Sequence, residues 1–269
     1  MADNRPIGIY DSGLGGLTVW SELRRRLPRE SLLYYGDGKN CPYGDKTREQ
    51  VTEAVDFAVR RLVDRGVKLI VVACNAATAM AIDHLRAAYP IPFVGLEPAV
   101  KPAALSSRSG VIGILATAAT LRGKLFRETS RRYEDRVRII ARVGEGFVEL
   151  VERNRERTEE AYRRVERLLT PMIEAGADRI VLGCTHYPVL APLIQQAVGE
   201  NVSIISSSEE TAKEVVETLT YRGHLADGSL EQHSSFYTTG EDLDDFRNIG
   251  GHIFGYPIDD LSYVDIEDL

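Results

Sequence analysis

The chain has 269 residues, with 40 acidic and 33 basic side chains and a formal net charge of −7. That length allows one large domain or two smaller ones, and the acidic balance argues against a nucleic-acid partner. No apolar stretch approaches the roughly 18 residues of a transmembrane helix, so we expect no membrane partner. The first residues lack the apolar segment of a signal peptide, and we therefore expect a cytoplasmic protein.

The chain contains three cysteines, Cys41, Cys74 and Cys184. This low, odd number differs from the even set of a secreted disulfide scaffold, and thiols stay free in a reducing cytosol. Cys41 lies beside a proline in a loop, so we do not expect it to take a direct part in chemistry.

The first half alternates short apolar runs with helical patterns, which is typical of a parallel α/β sheet. Its predicted strands cover 6–10, 31–36, 68–73 and 91–95, and its predicted helices cover 17–27, 48–65 and a segment that ends at 89. The loop over 37–45 is dense in turn residues, and loops at strand ends often carry function. Within this loop, Tyr43 could present its hydroxyl to a ligand.

The order of elements restarts after a connector over 96–102. The second set of predicted strands covers 110–115, 136–141, 179–183 and 201–206. Ile112 lies 105 positions after Ile7, and Cys184 lies 110 positions after Cys74. This near-constant offset predicts an internal duplication, and right-handed crossovers would then give two similar parallel-sheet units.

Two further segments fall outside the duplicated order of elements. The charge-rich segment 147–169 is predicted to be helical with a solvated face, and either Glu149 or Glu152 could enter a cleft. The tail could complete either unit; its predicted elements are a helix over 209–222, a strand over 235–239 and a helix over 241–249.

The turn Asp11-Ser-Gly-Leu-Gly-Gly16 follows the first strand and opens a helix. Glycines let the backbone approach a ligand and helix N-terminal amides point toward it, so the turn is either an anion cradle or a simple connection. Thr18 stands where a dinucleotide fingerprint needs its third glycine, and no Gly-Lys-Ser/Thr follows. Both common phosphate motifs are therefore excluded.

Cys74 and Cys184 each fall at the carboxyl end of a predicted strand, before polar residues and a helical pattern. Ligands bind at that edge of open α/β sheets. A disulfide between the two does not suit the compartment. A zinc site could use both thiols and His186, although there is no close Cys-x-x-Cys pair, and buried thiols are often structural.

The fourth interpretation of the two cysteines is a two-base proton transfer. A thiolate removes a proton from one face of a carbon and a thiol returns one to the other face, which inverts the centre. We expect Asp11 to assist Cys74, and His186 to share the cleft of Cys184. The developing negative charge needs preorganised donors. Candidate donors are Ser12, Asn75, Thr117, Thr120 and Thr185.

These motifs resemble the glutamate racemases of the cofactor-independent aspartate/glutamate racemase superfamily. The two cysteine motifs in this order are the most specific part of the resemblance, which runs through nearly the whole chain. The matching stretches are Asp11-Ser-Gly-Leu-Gly-Gly-Leu-Thr18, Cys41-Pro-Tyr-Gly44, Ala73-Cys-Asn75, Leu182-Gly-Cys-Thr-His-Tyr-Pro188, and Ile204-Ile-Ser-Ser207 followed by Glu210-Thr211.

The resemblance implies interconversion of L- and D-glutamate without pyridoxal phosphate, metal or any other cofactor, supplying D-glutamate for peptidoglycan. It implies Cys74 and Cys184 as the acid/base thiols, with Asp11 assisting the first, and Glu152 and His186 assisting the second. The substrate contacts expected from the resemblance and the residue pattern are Asp11, Ser12, Tyr43, Gly44, Asn75, Ala76, Thr117, Thr120, Thr185 and His186.

The resemblance also implies two parallel-sheet α/β domains with the active site in the cleft between them, and a homodimer. The first domain would combine 1–97 with 207–269, and the second would cover 98–206. Ala76 departs from the threonine that is frequent in the family. It keeps the backbone N–H but lacks a hydroxyl that can bind the substrate carboxylate, a hydrogen bond of roughly 1.5–3 kcal/mol.

Three other hypotheses stay open at this point. A racemase for aspartate or another small acid could use the same scaffold, since one sequence does not give the depth of the pocket. A non-catalytic protein that binds amino acids or dicarboxylates would also have a cleft between duplicated units, but it would not need a thiol on both faces. A zinc-binding module is the third.

Overall fold

The computed structural model describes residues 2–43, 46–254 and 256–264. The strands are β1 (Ile7–Asp11), β2 (Leu32–Gly36), β3 (Leu69–Val72), β4 (Phe93–Gly95), β5 (Val111–Ala116), β6 (Arg138–Val143), β7 (Arg179–Gly183), β8 (Ser203–Ser206), β9 (Ser234–Thr238) and β10 (Leu261–Tyr263). The α-helices are α1 (Leu17–Arg26), α2 (Arg48–Asp64), α3 (Asn75–Ala88), α4 (Val100–Ser106), α5 (Ala118–Arg122), α6 (Lys124–Arg131), α7 (Phe147–Glu152), α8 (Glu159–Glu174), α9 (Ala191–Val198), α10 (Ser207–Arg222) and α11 (Leu243–Phe254). Short 3-10 helices cover Gly38–Asn40 and Tyr187–Leu190. Among these described helices, none combines the length and apolarity needed to cross a bilayer.

The strands form two sheets in which every pairing is parallel. The larger sheet has the order β10-β9-β2-β1-β3-β4, and the smaller has the order β6-β5-β7-β8. The run β2-β1-β3-β4 and the whole smaller sheet have the same order when their strands are matched along the chain. The predicted α/β fold with two similar parallel-sheet units is therefore confirmed.

Helices cover both faces of each sheet, which is why the strands are continuous apolar runs in the sequence. Along β1 the side chains alternate between the faces. Ile7 and Ile9 pack with residues of α1 and α10, whereas Tyr10 packs with residues of α2 and α3. The smaller sheet packs against α4 on one face and against α7, α8 and α9 on the other.

The chain passes from the larger sheet to the smaller one after β4 and returns after β8. Helix α10 contributes Ala212, Val215 and Leu219 to the core of the larger sheet. Strand β9 then pairs with β2, with Ser234 opposite Leu32, and β10 pairs with β9. Of the two possibilities that the sequence left open, the tail therefore completes the first unit.

The structure differs from the sequence prediction in several elements. The predicted connector contains the start of α4, and the sequence pattern does not predict α6 or β10. The charge-rich segment forms two helices rather than one. The break between them is local: Asn154 has a φ of 51°, and the Thr158 side chain accepts a hydrogen bond from the Ala161 amide and so begins α8.

Candidate active site

Cys74 follows β3 and Cys184 follows β7, so the two thiols lie at the carboxyl ends of equivalent strands. Both line a cavity of about 190 Å³. All three cysteines are free thiols. The other residues that line the cavity are Ser12, Pro42, Tyr43, Asn75, Ala76, Thr117, Ala118, Val143, Gly144, Glu145, Gly146, Val148, Glu149, Thr185, His186 and Tyr187.

The Cys74 sulfur caps the first turn of α3. The Ala77 amide donates to its Sγ at 3.4 Å, and the Ser12 hydroxyl oxygen lies 3.4 Å from the same sulfur. Burial, together with the negative charge of Asp11, raises the pKa of Cys74 to about 12, and the two hydrogen bonds offset only part of this. Cys74 is therefore a neutral thiol at neutral pH in the substrate-free protein.

His186 connects the Cys184 thiol to a carboxylate. Its Nδ1 is 3.8 Å from Cys184 Sγ, and its Nε2 is 2.5 Å from Glu152 Oε1. Burial alone would lower the pKa of this imidazole, but contacts with Cys184, Cys41 and the carboxylate raise it well above the usual value. Burial likewise opposes ionisation of Glu152, yet the histidine lowers its pKa overall. At neutral pH the pair is an imidazolium and a carboxylate.

The glycine turn after β1 binds protein carboxylates with its backbone amides. The Gly13 amide donates to Asp11 Oδ2 at 2.9 Å, and the Leu14 amide donates to Glu152 Oε1 at 3.0 Å. A Cβ on Gly13 would lie 2.5 Å from Glu152 Oε1, and a Cβ on Gly15 would lie 2.4 Å from His186 Nδ1. Glycine is required at both positions because the turn lies against these two side chains.

Asp11 lies behind the cavity wall rather than on it, since it is absent from the lining residues and fully buried. It accepts a hydrogen bond from the Thr185 hydroxyl at 3.2 Å. Burial raises the pKa of its carboxyl group, while the charge of His186 and two backbone amides act in the opposite direction. Asp11 thus contacts residues from both sheets.

The hydroxyl of Tyr43 points into the protein, although the sequence suggested that it could face a ligand. It donates to the buried carboxylate of Asp37 and contacts the Tyr10 hydroxyl. Asp37 also accepts hydrogen bonds from Thr239 at 2.7 Å and from Asn40 at 3.1 Å. Tyr43 therefore lines the cavity with its ring, in an orientation fixed by a buried network.

The remaining predicted contacts have different positions. Asn75 lines the cavity and donates from Nδ2 to the Leu96 carbonyl at 3.2 Å, and Ala76 lies beside it on the wall. Thr117 is on the wall, whereas Thr120 is behind it, with the two hydroxyl oxygens 2.8 Å apart. Gly44 lies outside the described residues.

Apart from Glu149, sequence reasoning missed the wall that begins at the end of β6, formed by residues 143–146 and 148–149. The predicted strand ended two residues early, so these positions did not look like a strand end. Glu149 and Glu152 were both considered for the cleft. They lie three residues apart, on the same side of α7; Glu149 lines the cavity and Glu152 contacts His186.

The metal ligands proposed from the sequence do not come together. In the part of the chain that the structure describes, ligand atoms close enough to share an ion belong to Cys41, Glu152 and His186, and not to Cys74 or Cys184. The prediction of a zinc site with Cys74, Cys184 and His186 as ligands is therefore wrong.

Comparisons with known proteins identify the family. A sequence profile of the Asp/Glu/Hydantoin racemase family matches residues 19–215. A glutamate racemase from Herpetosiphon aurantiacus is 40% identical over 238 residues, which are 88% of this chain and 94% of the relative. A crystal structure of a Bacillus anthracis glutamate racemase matches with a TM-score of 0.89, 35% identity and coverage of 98% of each chain. The Francisella tularensis glutamate racemase, crystallised with D-glutamate, matches with a TM-score of 0.87, 27% identity, and coverage of 99% of this chain and 100% of that chain.

These relatives share both the sequence and the two-sheet structure over most of their length. The hypotheses of a non-catalytic binding protein and of a zinc-binding module are therefore wrong. The chain belongs to the glutamate racemase family of the Asp/Glu/Hydantoin racemases, and it is an amino-acid racemase, an isomerase.

Proposed function

We propose that this racemase interconverts L- and D-glutamate by proton transfer between two cysteines, without a cofactor. The observation that carries the proposal is that Cys74 and Cys184 line one small cavity. Its volume suits a ligand well below the drug-sized molecules that fill pockets of about 300–1,000 Å³. The choice of glutamate is supported by the relatives, one of which was crystallised with D-glutamate.

In the proposed reaction the α-carbon of the substrate lies between the two sulfur atoms. One thiolate takes the α-proton, and the opposite thiol delivers its proton to the other face of the carbanion, which leaves the mirror image and a new thiolate. Because the pKa of Cys74 is about 12 in the substrate-free enzyme, Cys74 starts as the acid. We assign the opposite residue, Cys184, as the first base.

The surroundings of Cys184 support its role as the first base. The His186 imidazolium, 3.8 Å from Sγ, stabilises negative charge on that sulfur, and Glu152 holds the ring from its other side. Asp11 opposes negative charge on Cys74. A positive charge therefore lies beside Cys184 and a negative charge beside Cys74.

The substrate carboxylates need donors at the cavity wall. Helix α3 begins at Asn75, and its first residues line the cavity, so we assign a carboxylate to this helix N-terminus. At Ala76 the contact is limited to the backbone N–H. The remaining proposed contacts are the hydroxyl groups of Ser12, Thr117 and Thr185, the side chain of His186, and the Tyr43–Gly44 segment. Asp11 and Thr120 lie behind the wall and would act through Thr185 and Thr117.

Several broader properties follow from the same proposal. D-glutamate made by the enzyme would supply peptidoglycan synthesis in the cytoplasm. The active enzyme would be a homodimer of chains with two domains, 1–97 with 207–269 and 98–206. The pairing of β9 with β2 supports these boundaries, because it brings the tail to the first sheet.

The test is incubation of the purified protein in deuterated water with L-glutamate, D-glutamate or L-aspartate. We expect inversion of glutamate, with deuterium at Cα in the product. Inversion of aspartate alone would assign the other small acid as substrate, and no inversion or exchange with either acid would overturn the proposed reaction.

Single variants test the two-cysteine step. Cys74→Ala and Cys184→Ala should each abolish racemisation, since one face of the carbon then has no acid or base. Cys74→Ala should still exchange the α-hydrogen of the enantiomer that faces Cys184. Cys184→Ala should exchange that of the other enantiomer, and much more slowly, because the pKa of its remaining thiol is raised to about 12. Racemisation near the wild-type rate in either variant would contradict the mechanism. Cys41→Ala is the matched thiol deletion, and it should still racemise.

A further inference from the structure

The loop after β2 brings the third thiol to the Glu152–His186 pair. Cys41 Sγ lies 4.0 Å from Glu152 Oε1, and His186 Nε2 lies 2.5 Å from the same oxygen. The sulfur, a carboxylate oxygen and an imidazole nitrogen all lie within 4.8 Å of one another. They come from three separate segments of the chain, and the proton transfer proposed above has no step for Cys41.

These separations are close to those around a bound ion. With zinc–sulfur bonds of about 2.3 Å and zinc–nitrogen or zinc–oxygen bonds of about 2.0–2.2 Å, ligand atoms on a tetrahedral ion lie about 3.3–3.7 Å apart. The sulfur–oxygen distance of 4.0 Å is only slightly longer. The imidazole nitrogen and the carboxylate oxygen, 2.5 Å apart without an ion, would separate by about 1 Å when they share one.

The backbone of Gly13 borders the cluster, and Cys41 connects it to solvent. Gly13 lies against the cluster, and a Cβ there would come 2.5 Å from Glu152 Oε1 and 3.1 Å from Cys41 Sγ. Cys41 is partly exposed while His186 is buried, so an ion reaches the cluster past the thiol. The buried carboxylate of Asp11, bonded to the Gly13 amide, adds negative charge that attracts a cation.

We propose that Cys41, Glu152 and His186 form a binding site for a thiophilic divalent cation of the zinc type, which inhibits the enzyme. The ion replaces two protons, the thiol proton of Cys41 and the Nε2 proton of the His186 imidazolium, and both pass to solvent. It then binds the thiolate sulfur, a carboxylate oxygen of Glu152 and the imidazole nitrogen. A thiolate with an imidazole selects zinc over magnesium or calcium. The inhibition rests on the proposed function, because the ion takes His186 and Glu152 away from Cys184.

Metal binding is tested with Co²⁺, whose bond to a thiolate gives a charge-transfer absorption band. We expect one Co²⁺ per chain with this band in the wild-type protein. The Cys74→Ala/Cys184→Ala protein, which keeps only Cys41, should retain the band. The Cys41→Ser protein should lose it. A band that persists in Cys41→Ser, or that disappears when the other two thiols are removed, would overturn the site.

Inhibition is tested by titrating ZnCl₂ into the racemisation assay, with each protein compared with its own zinc-free rate. We expect Cys41→Ser to need at least tenfold more zinc for half inhibition than the wild-type enzyme, because it lacks the thiolate ligand. Equal sensitivity of the two proteins would overturn the inhibitory role. An enzyme that racemises neither acid but shows the Cys41-dependent cobalt band would overturn the proposed function and retain the metal site.

Discussion

The buried carboxylate of Asp37 is expected to hold Tyr43 at the cavity wall. One of its oxygens accepts hydrogen bonds from Thr239 and Asn40, and the other accepts the hydroxyl of Tyr43. In Asp37→Asn the remaining oxygen would keep the two donors, and the new NH₂ group would face the tyrosine hydroxyl. The NH₂ group could donate only to the Tyr43 hydroxyl oxygen, and the hydroxyl hydrogen would have to turn toward Tyr10. The charge-assisted bond from Tyr43 to Asp37 would therefore be lost.

The loss of stability follows from the hydrogen bond between Tyr43 and the Asp37 carboxylate. A hydrogen bond to a buried charged group contributes roughly 1.5–3 kcal/mol, so Asp37→Asn should lower the free energy of unfolding by about that amount. Because the Tyr43 ring lines the cavity, the KM for glutamate should rise more than kcat falls. Thr239→Val is the matched control: it removes one partner of the carboxylate but leaves the bond to Tyr43, so KM should change little.

A double-mutant cycle that combines Asp37→Asn with Tyr43→Phe tests whether Asp37 acts through the Tyr43 hydroxyl. Stability is measured by denaturant unfolding, and KM and kcat by steady-state kinetics. If the Asp37 substitution acts through the tyrosine hydroxyl, Asp37→Asn should cost much less in the Tyr43→Phe background. The coupling free energy should then lie in the range of about 0.5–3 kcal/mol seen for contacting residues. Additive effects of the two substitutions, or an unchanged KM in Asp37→Asn, would refute the reasoning.

Two further predictions concern the core and the glycine turn. Lys68 and Glu30 form a buried ion pair at 2.5 Å with side chains 0% and 2% exposed. Lys68→Met should therefore lower the free energy of unfolding, measured with a chemical denaturant, by about 3–5 kcal/mol. The double variant Lys68→Met/Glu30→Gln should recover part of that stability. A Lys68→Met protein within about 1 kcal/mol of the wild type, well below that estimate, would contradict the prediction. Gly15→Ala would place a methyl group 2.4 Å from His186 Nδ1, and the displaced imidazole should reduce kcat by roughly a hundredfold. Gly251→Ala, whose nearest contact would be 3.6 Å, is the control, and equal kcat values for the two glycine variants would refute the prediction.

Local patterns in the sequence were sufficient to predict every strand of the two sheets except β10, and the edge where the site lies. An apolar run buried on both faces is recognisable without knowledge of its neighbours, and the constant offset between the two halves predicted their shared order. The cysteines, with His186 two residues after Cys184, were predictable because each stands at a strand end. Helix α4 was not predictable, because Pro98 and Pro102 near its start are typical of a connecting loop.

Contacts between distant segments could not be predicted from those patterns. The bond between Thr239 and Asp37 joins residues 202 positions apart, and nothing local to either residue indicates it. The same is true of Glu152 and Cys41, which are 111 positions apart. The orientation of the Tyr43 hydroxyl depends on the first of these contacts, so the sequence indicated the residue but not the direction in which it points.

The return of the tail to the first sheet has a consequence for how the protein is made. On the ribosome, the strands of the smaller sheet all emerge within residues 111–206, whereas the larger sheet needs residues 234–263 for its last two strands. Domains generally fold as units while synthesis proceeds from the N-terminus. Here the half with Cys184 can complete its sheet first, although the half with Cys74 begins to emerge earlier.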